Sequence, residues 1–261
     1  GYEKRFNQSI RSAVTEEDLQ NQIEGGIRFL EKRYKASVFL LYFQAFSSTY
    51  APVETLKKLY DYCLSLAPFK ELIVSTRPDC VTAETADLFK EYKARGYEVW
   101  VELGLQTACD DTLQRINRGH TVADFDRSYE LLRGAGCRIA VHLIFGLPGE
   151  GEKEILETVD YIRPLVPDGI KIHNLHIPFH TRLFQEYLRG EITAPSAPRH
   201  RNYIIKALER VPKSTIIIRL TCDTPESLLA APRNFLNKAS FIRSVKAEMI
   251  RRDTSQGRYF G

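Results

Sequence analysis

Between residues 37 and 177 five short apolar segments alternate with amphipathic ones, recurring about every 30 residues. That alternation limits the fold more than any other feature of the chain. Strands separated by helices pair in parallel, with helices covering the sheet. The spacing predicts helices over 16–34, 53–66, 82–95, 111–116, 122–133 and 152–165. It predicts strands at Ser37–Ala45, Glu71–Thr76, Glu98–Gln106, Arg138–Phe145 and Gly169–Ile177. Helices near 181–189 and 199–210, a strand at 215–220 and a helix over 233–252 complete the reading. Thr15 before Glu16, Glu17 and Asp18, Pro52 before Val53, and Gly96 after Arg95 mark helix ends.

Such a pattern suits an open sheet or a curved barrel, and the strand ends favour a partial barrel. Each strand turns polar at its C-terminal end: Tyr42, Gln44, Ser47 and Ser48; Ser75, Arg77 and Asp79; Glu102 and Gln106; His142; His173, Asn174 and His176. A barrel gathers its site from the ends of many strands, whereas an open doubly wound sheet concentrates it at one crevice.

The segment VELGLQTACDDTLQRINRGH, residues 101–120, is the most informative of these. Strand alternation puts Trp100, Glu102, Gly104 and Gln106 on one face, and Gly104 leaves room for a ligand. A carboxylate and an amide on a buried face are costly unless something engages them. Arg118 follows on the next turn and can clamp a carboxylate. A ligand clamp and a salt bridge closing the corner both fit these residues.

Other candidates are weaker. Ser75, Arg77 and Asp79 also fit a surface turn, and Gln44–Thr49 an ordinary Ser-rich turn. His142 fits a structural strand histidine. His173 and His176 fall on opposite faces of a strand, which disfavours a shared metal. Gly146–Gly151 follows a strand but lacks a Gly-Lys-Ser/Thr, and Pro148 removes a donor, so it reads as a turn rather than a phosphate loop. Lys171 is the only lysine near a strand end, on the face opposite Asn174 and His176, which counts against a lysine-dependent barrel lyase.

Five cysteines, with no two close in sequence, fit a reducing cytoplasm and form no CxxC metal site. A charge of +4 permits an anionic partner without requiring one. Basic residues thicken after Arg199. No apolar run approaches membrane-span length.

Taken in order and spacing, YFQAFSST (42–49), TRPDC (76–80), residues 97–120, HLIFGLPGEG (142–151) and DGIKIHNLHI (168–177) resemble the radical SAM superfamily, most closely its YhcC-like family. The resemblance implies a partial (β/α)6 TIM-like barrel with S-adenosylmethionine and a [4Fe-4S] cluster at its mouth. It implies that Gln44, Phe46 and Ser47 occupy the turn that meets the methionine amine. The usual Gly-Gly pair is absent there. Ser75 stands where relatives often carry a carboxylate, with Arg77 as a substitute. Gln106 and Arg118 match residues holding ribose and carboxylate, His142 and His176 flank the adenosine, and Glu102 is a lumen ligand or network member.

The implied chemistry is reductive cleavage of S-adenosylmethionine to a 5′-deoxyadenosyl radical that abstracts hydrogen from a substrate, fed by an external electron donor. The INRGH segment also resembles the elongator catalytic subunit, which implies tRNA as a substrate. The cluster thiolates and a first barrel strand are expected upstream of Gly1. Residues 1–14 are expected to be the tail of the cluster loop, 15–180 the barrel core, and 181–261 a helical extension with one further strand, packed on the barrel. The competing readings are an iron-free barrel lyase and a cluster-less S-adenosylmethionine-binding module.

Overall fold

The computed structural model describes residues 15–45 and 47–260. A capped helix α1 (Glu16–Tyr34) leads into five strand–helix units. Their strands are β1 (Phe39–Phe43), β2 (Phe69–Thr76), β3 (Glu98–Gln106), β4 (Arg138–Phe145) and β5 (Gly169–Asn174). The helices between them are α2 (Val53–Ser65), α3 (Ala83–Ala94), α4 (Asp110–Arg115), α5 (Val122–Gly134) and α6 (Glu152–Ile162). A two-residue strand β6 (Ile177–Pro178), α7 (Arg182–Leu188), α8 (Ala197–Leu208), β7 (Ile216–Arg219), β8 (Leu229–Ala231) and α9 (Lys238–Arg251) follow.

All six strands of the main sheet run parallel, in the order β1-β2-β3-β4-β5-β7. The sheet curls into a half-barrel, as the strand-end polarity indicated. The sequence pattern places five strands between residues 37 and 177 and a further one at 215–220, and the resemblance implies another before residue 37. Among the described residues the sixth is β7, hydrogen-bonded to β5 at the other edge.

Other boundaries moved for local reasons. The helix expected to reach Leu165 stops at Ile162 and tightens into a 3-10 turn over Arg163–Leu165, because Pro164 has no N–H to continue it. The expected strand 169–177 breaks after Asn174. Its remainder, β6, pairs antiparallel with β8, a short strand that the periodicity did not reveal. The last helix starts at Lys238, where the Asn237 side chain accepts a hydrogen bond from Ser240 N–H.

Alternation sorts the strands into two faces. Leu72, Val74, Val99, Val101, Leu103, Leu105, Ile139, Val141, Leu143, Ile170 and Ile172 are buried under the helices, where Tyr60, Phe89, Tyr92 and Phe125 complete the core. The opposite face lines the concave lumen. At its floor, a Cβ placed on Gly169 would lie 2.8 Å from Ile218 Cδ1, 3.2 Å from Ala140 Cβ and 3.3 Å from the Trp100 ring. These four residues therefore plug the N-terminal end of the lumen.

The loop from α4 to α5 carries Arg118 and is pinned at its far end. Thr121 and Asp124 form a reciprocal capping box, with Asp124 N–H donating to Thr121 Oγ1 at 3.1 Å and Thr121 N–H to Asp124 Oδ2 at 2.8 Å. Thr121→Ala is expected to lower stability by about 1 kcal/mol, read as a shift of the urea midpoint. An unchanged midpoint would show that the cap contributes nothing.

Candidate active site

Glu102, on β3, stands at the centre of the lumen. Its Oε2 accepts hydrogen bonds from Lys171 Nζ at 2.6 Å, Tyr42 Oη at 2.5 Å and Ser75 Oγ at 2.8 Å. Lys171 Nζ also reaches Tyr42 Oη at 3.0 Å. Four strands thus meet at one oxygen. The sheet register explains how. Glu102 lies beside Ser75 on β2 and Ala140 on β4, and Lys171 lies one layer higher, beside His142. Because β4 offers only the methyl of Ala140 at that layer, the lysine chain can cross it.

Burial alone would raise the Glu102 carboxyl, but the Lys171 hydrogen bond, the Tyr42 hydroxyl and the ammonium charge outweigh it and hold the carboxyl below its usual range. Burial and the adjoining carboxylate push the Tyr42 phenol up. Lys171 is the residue that sequence reasoning missed. Its side chain is on the face opposite Asn174, and that face, shared with His173, is the lumen. Its pairing with Glu102 could have been found by laying the β3 and β5 alternations over one another.

Above this network Gln106 and Arg118 come together over Gly104. A Cβ on Gly104 would lie 2.5 Å from Gln106 Nε2 and 2.8 Å from Arg118 Nη2. The space that Gly104 opens is therefore filled by the chain's own side chains, which corrects the expectation of free ligand room there. Gln106 is buried and has φ 72°, a left-handed conformation that costs a non-glycine residue about 1–3 kcal/mol and concentrates at functional sites. The β3–β4 register shifts at the same place. Left-handed Asn117 (φ 53°) and Gly119 (φ 79°) flank Arg118 and turn the chain back toward the strand.

Arg118 does not close the corner through a salt bridge. Among the described residues no carboxylate lies within 4.0 Å of it, and its buried Nε has no hydrogen-bond partner. Burial, with Arg77 nearby, depresses its guanidinium from the ordinary arginine range. A buried guanidinium without an ion-pair partner can hold an anion.

The remaining candidates divide. Arg77 is held by Asp79, through Nε at 2.9 Å and a second contact, and touches the Gly119 carbonyl at 3.4 Å. Ser75 serves Glu102. Ser47 carbonyl accepts from Tyr50 N–H at 3.0 Å, and Ser48 N–H donates to the Ser75 carbonyl at 3.0 Å, which seats the loop after β1 against β2. Gln44 is exposed, and Phe46 lies outside the described residues.

His142 and His173 meet edge to face with centroids 4.2 Å apart. Burial, reinforced by Lys171, pushes His142 down to about 3, and its buried Nε2 has no partner. His176 has Nδ1 2.7 Å from Thr224 Oγ1 and a buried, unpartnered Nε2. His120 Nε2 lies 3.3 Å from the Leu105 carbonyl and serves the strand end.

The glycine-rich turn after β4 is structural. Gly146 (φ 83°) packs on Pro195, where a Cβ would lie 2.9 Å from the proline ring, and Glu150 accepts from Thr107 at 2.6 Å. Among the described residues no three His, Cys, Asp or Glu side chains gather as a metal site, and no helix is long and apolar enough to cross a membrane.

Known proteins align with this architecture. The family model for the Radical SAM superfamily matches residues 15–162, and that for the Radical_SAM C-terminal domain matches residues 167–251. Protein YhcC of Escherichia coli is 40% identical over 198 residues, covering 76% of this chain and 64% of its own length. This chain thus spans less than two thirds of that relative. The tRNA uridine(34) acetyltransferase of Methanocaldococcus jannaschii is 31% identical over 166 residues, 60% of this chain and 29% of that protein. In three dimensions the archaeal Elp3 of Methanocaldococcus infernus, with an N-terminal deletion, superposes with a TM-score of 0.79 at 22% identity, covering 92% of this chain and 60% of that one.

Proposed function

The chain belongs to the radical SAM superfamily, and from this we propose that its half-barrel holds S-adenosylmethionine for hydrogen abstraction from a substrate, a tRNA nucleoside. The observation that carries the reading is Arg118, a buried guanidinium with an unpartnered Nε and no carboxylate within ion-pair reach among the described residues. Such a group fits the methionine carboxylate. Gln106, packed beside it, fits the ribose hydroxyls. His142, neutral and with an unpartnered Nε2, fits the adenosine. His176, two residues beyond β5 and with an unpartnered Nε2, fits the other side of the same ligand. Ser47, with Gln44, Ser75 and Arg77, fits the methionine end of the same ligand on the β1 and β2 side, and Phe46, expected in the same turn, lies outside the described residues.

Held there, S-adenosylmethionine would supply, with a [4Fe-4S] cluster and an external electron donor, the radical hydrogen abstraction, and that chemistry would be the cofactors' own. The chain's part is to orient and to exclude water. The Glu102–Lys171–Tyr42–Ser75 network fixes the middle of the lumen, and the floor around Trp100 seals its lower end. The five thiols do not fit a cluster. No three of them converge, and burial pushes Cys63 and Cys222 to about 11 and Cys137 to about 12, far from the thiolate a metal needs. A cytoplasmic setting accords with free thiols.

The tRNA proposal draws on the relationship to the tRNA uridine(34) acetyltransferase. A lysine-dependent lyase gains little from Lys171, which is engaged by Glu102 and Tyr42.

Isothermal titration with S-adenosylmethionine tests the reading. Arg118→Ala is expected to weaken binding about tenfold, the value of one charge-assisted hydrogen bond. Equal affinity of the two proteins would remove Arg118 from the site.

A further inference from the structure

We propose that Arg219 and His173 form an oxyanion site on the rim of the half-barrel that takes a phosphodiester group of the substrate. The proposal rests on the radical SAM reading and adds a substrate contact to it.

The first support is a slip in the β5–β7 ladder. Ile170 pairs with Ile217, but the next residue, Lys171, pairs with Arg219. One extra residue is thereby taken up in β7. With strict alternation Arg219 would follow Ile217 onto the helix-covered face. The slip instead sets it beside Lys171, on the lumen face. Irregularities of this kind re-aim side chains next to functional sites. Arg219 Nη1 then lies 3.3 Å from His173 Nε2.

Proton placement follows from the donor. A guanidinium has only N–H groups, so His173 Nε2 accepts, and the imidazole proton sits on Nδ1 as a second donor. Burial, followed by the charges of the surrounding basic groups, depresses His173 far below its usual value, so the ring is neutral.

The second support is charge. Among the described residues no carboxylate lies within 4.0 Å of Arg219, and the acids in this part of the molecule are committed elsewhere. Glu102 is bound to Lys171 at 2.6 Å and Asp223 to Lys238 at 2.7 Å. The Cys222 thiol is kept protonated by burial. The site therefore offers a single positive charge and several N–H donors. That matches a monoanion such as a phosphodiester, whereas a dianionic phosphate monoester would leave a net negative charge on the rim.

The third support is position. Arg219 ends β7 and His173 lies near the end of β5, at the mouth. A nucleoside extruded into an enzyme pocket remains tied to its strand by phosphodiesters that stay outside. Rim donors meet those groups, while Arg118 and Gln106 face the cofactor.

Fluorescence anisotropy with a labelled single-stranded oligoribonucleotide, over a series of NaCl concentrations, tests the proposal. Arg219→Gln is expected to weaken binding about tenfold and to reduce the slope of log K against log salt by about 0.7, one phosphate contact on a single strand. Arg219→Lys is expected to keep most of the slope and to recover only part of the affinity. An Arg219→Gln protein with unchanged affinity and slope overturns the proposal, as does a wild-type protein that does not bind the oligonucleotide. Titration of both proteins with S-adenosylmethionine separates the two readings. Wild-type binding of the cofactor without an Arg219 effect on RNA sinks only the rim site. Loss of cofactor binding in the wild type sinks the reading beneath it.

Discussion

Replacing Lys171 by methionine is expected to cost the fold about 3–5 kcal/mol at neutral pH, because it leaves the Glu102 carboxylate buried without its cation. Both side chains are almost fully enclosed, at 5% and 8% exposure, so water cannot take over the lost partner. The pH dependence has a definite sign. In the native protein the Glu102 carboxyl lies below its unfolded value, so its contribution is present above the ordinary carboxylate range and is lost as pH falls through the folded value. Without Lys171 the burial effect dominates and the carboxyl moves up, so acid relieves the variant while it weakens the wild type. The gap between the two should therefore narrow as the solution is acidified. Glu102→Gln combined with Lys171→Met is expected to recover most of the loss, since an amide needs no cation and can still engage Tyr42 and Ser75. Urea unfolding at neutral and acid pH checks all three proteins. A Lys171→Met protein as stable as the wild type at neutral pH would refute the ion pair's structural role.

Gly104→Ala is expected to cut affinity for S-adenosylmethionine about a hundredfold while leaving the fold largely intact. The new methyl would meet Gln106 Nε2 at 2.5 Å and Arg118 Nη2 at 2.8 Å, so both proposed cofactor contacts must move together. Each is the far end of a side chain that can swing away. Gly104 is also not among the left-handed glycines, so its backbone accepts alanine. The damage should thus appear in binding rather than stability, about ten times the effect expected for Arg118→Ala alone. Calorimetric titration paired with a thermal melt reads the two effects separately. A large fall in melting temperature with retained affinity would show that Gly104 matters for packing and not for the clamp.

The architecture was legible because each strand is apolar on its helix side and polar at its end. Val99, Val101, Leu103 and Leu105 announce the helix-covered face of β3, and Glu102 and Gln106 its polar opposite face. Legibility failed where a contact depends on two distant strands. Nothing near Lys171 in sequence points to Glu102. The pairing needs the stagger of β3 against β5 and the small Ala140 between them. Arg219 was hidden for a related reason, since a ladder slip has no periodic signature. The reading of Gly104 as empty space failed because Gln106 folds back over its own strand through a left-handed backbone, which alternation does not anticipate. Residues whose role is set by their immediate neighbours, such as Thr15 at the start of α1, are the easiest to place.

The lumen floor has a practical consequence. Trp100 is the sole tryptophan of the chain, and it sits at 9% exposure against Ala140, Gly169 and Ile218, with the Arg138 guanidinium 5.3 Å from its ring. All indole emission therefore originates beneath the Glu102 network, and none arises from the outer surface. The protein carries its own unlabelled gauge of what enters the barrel.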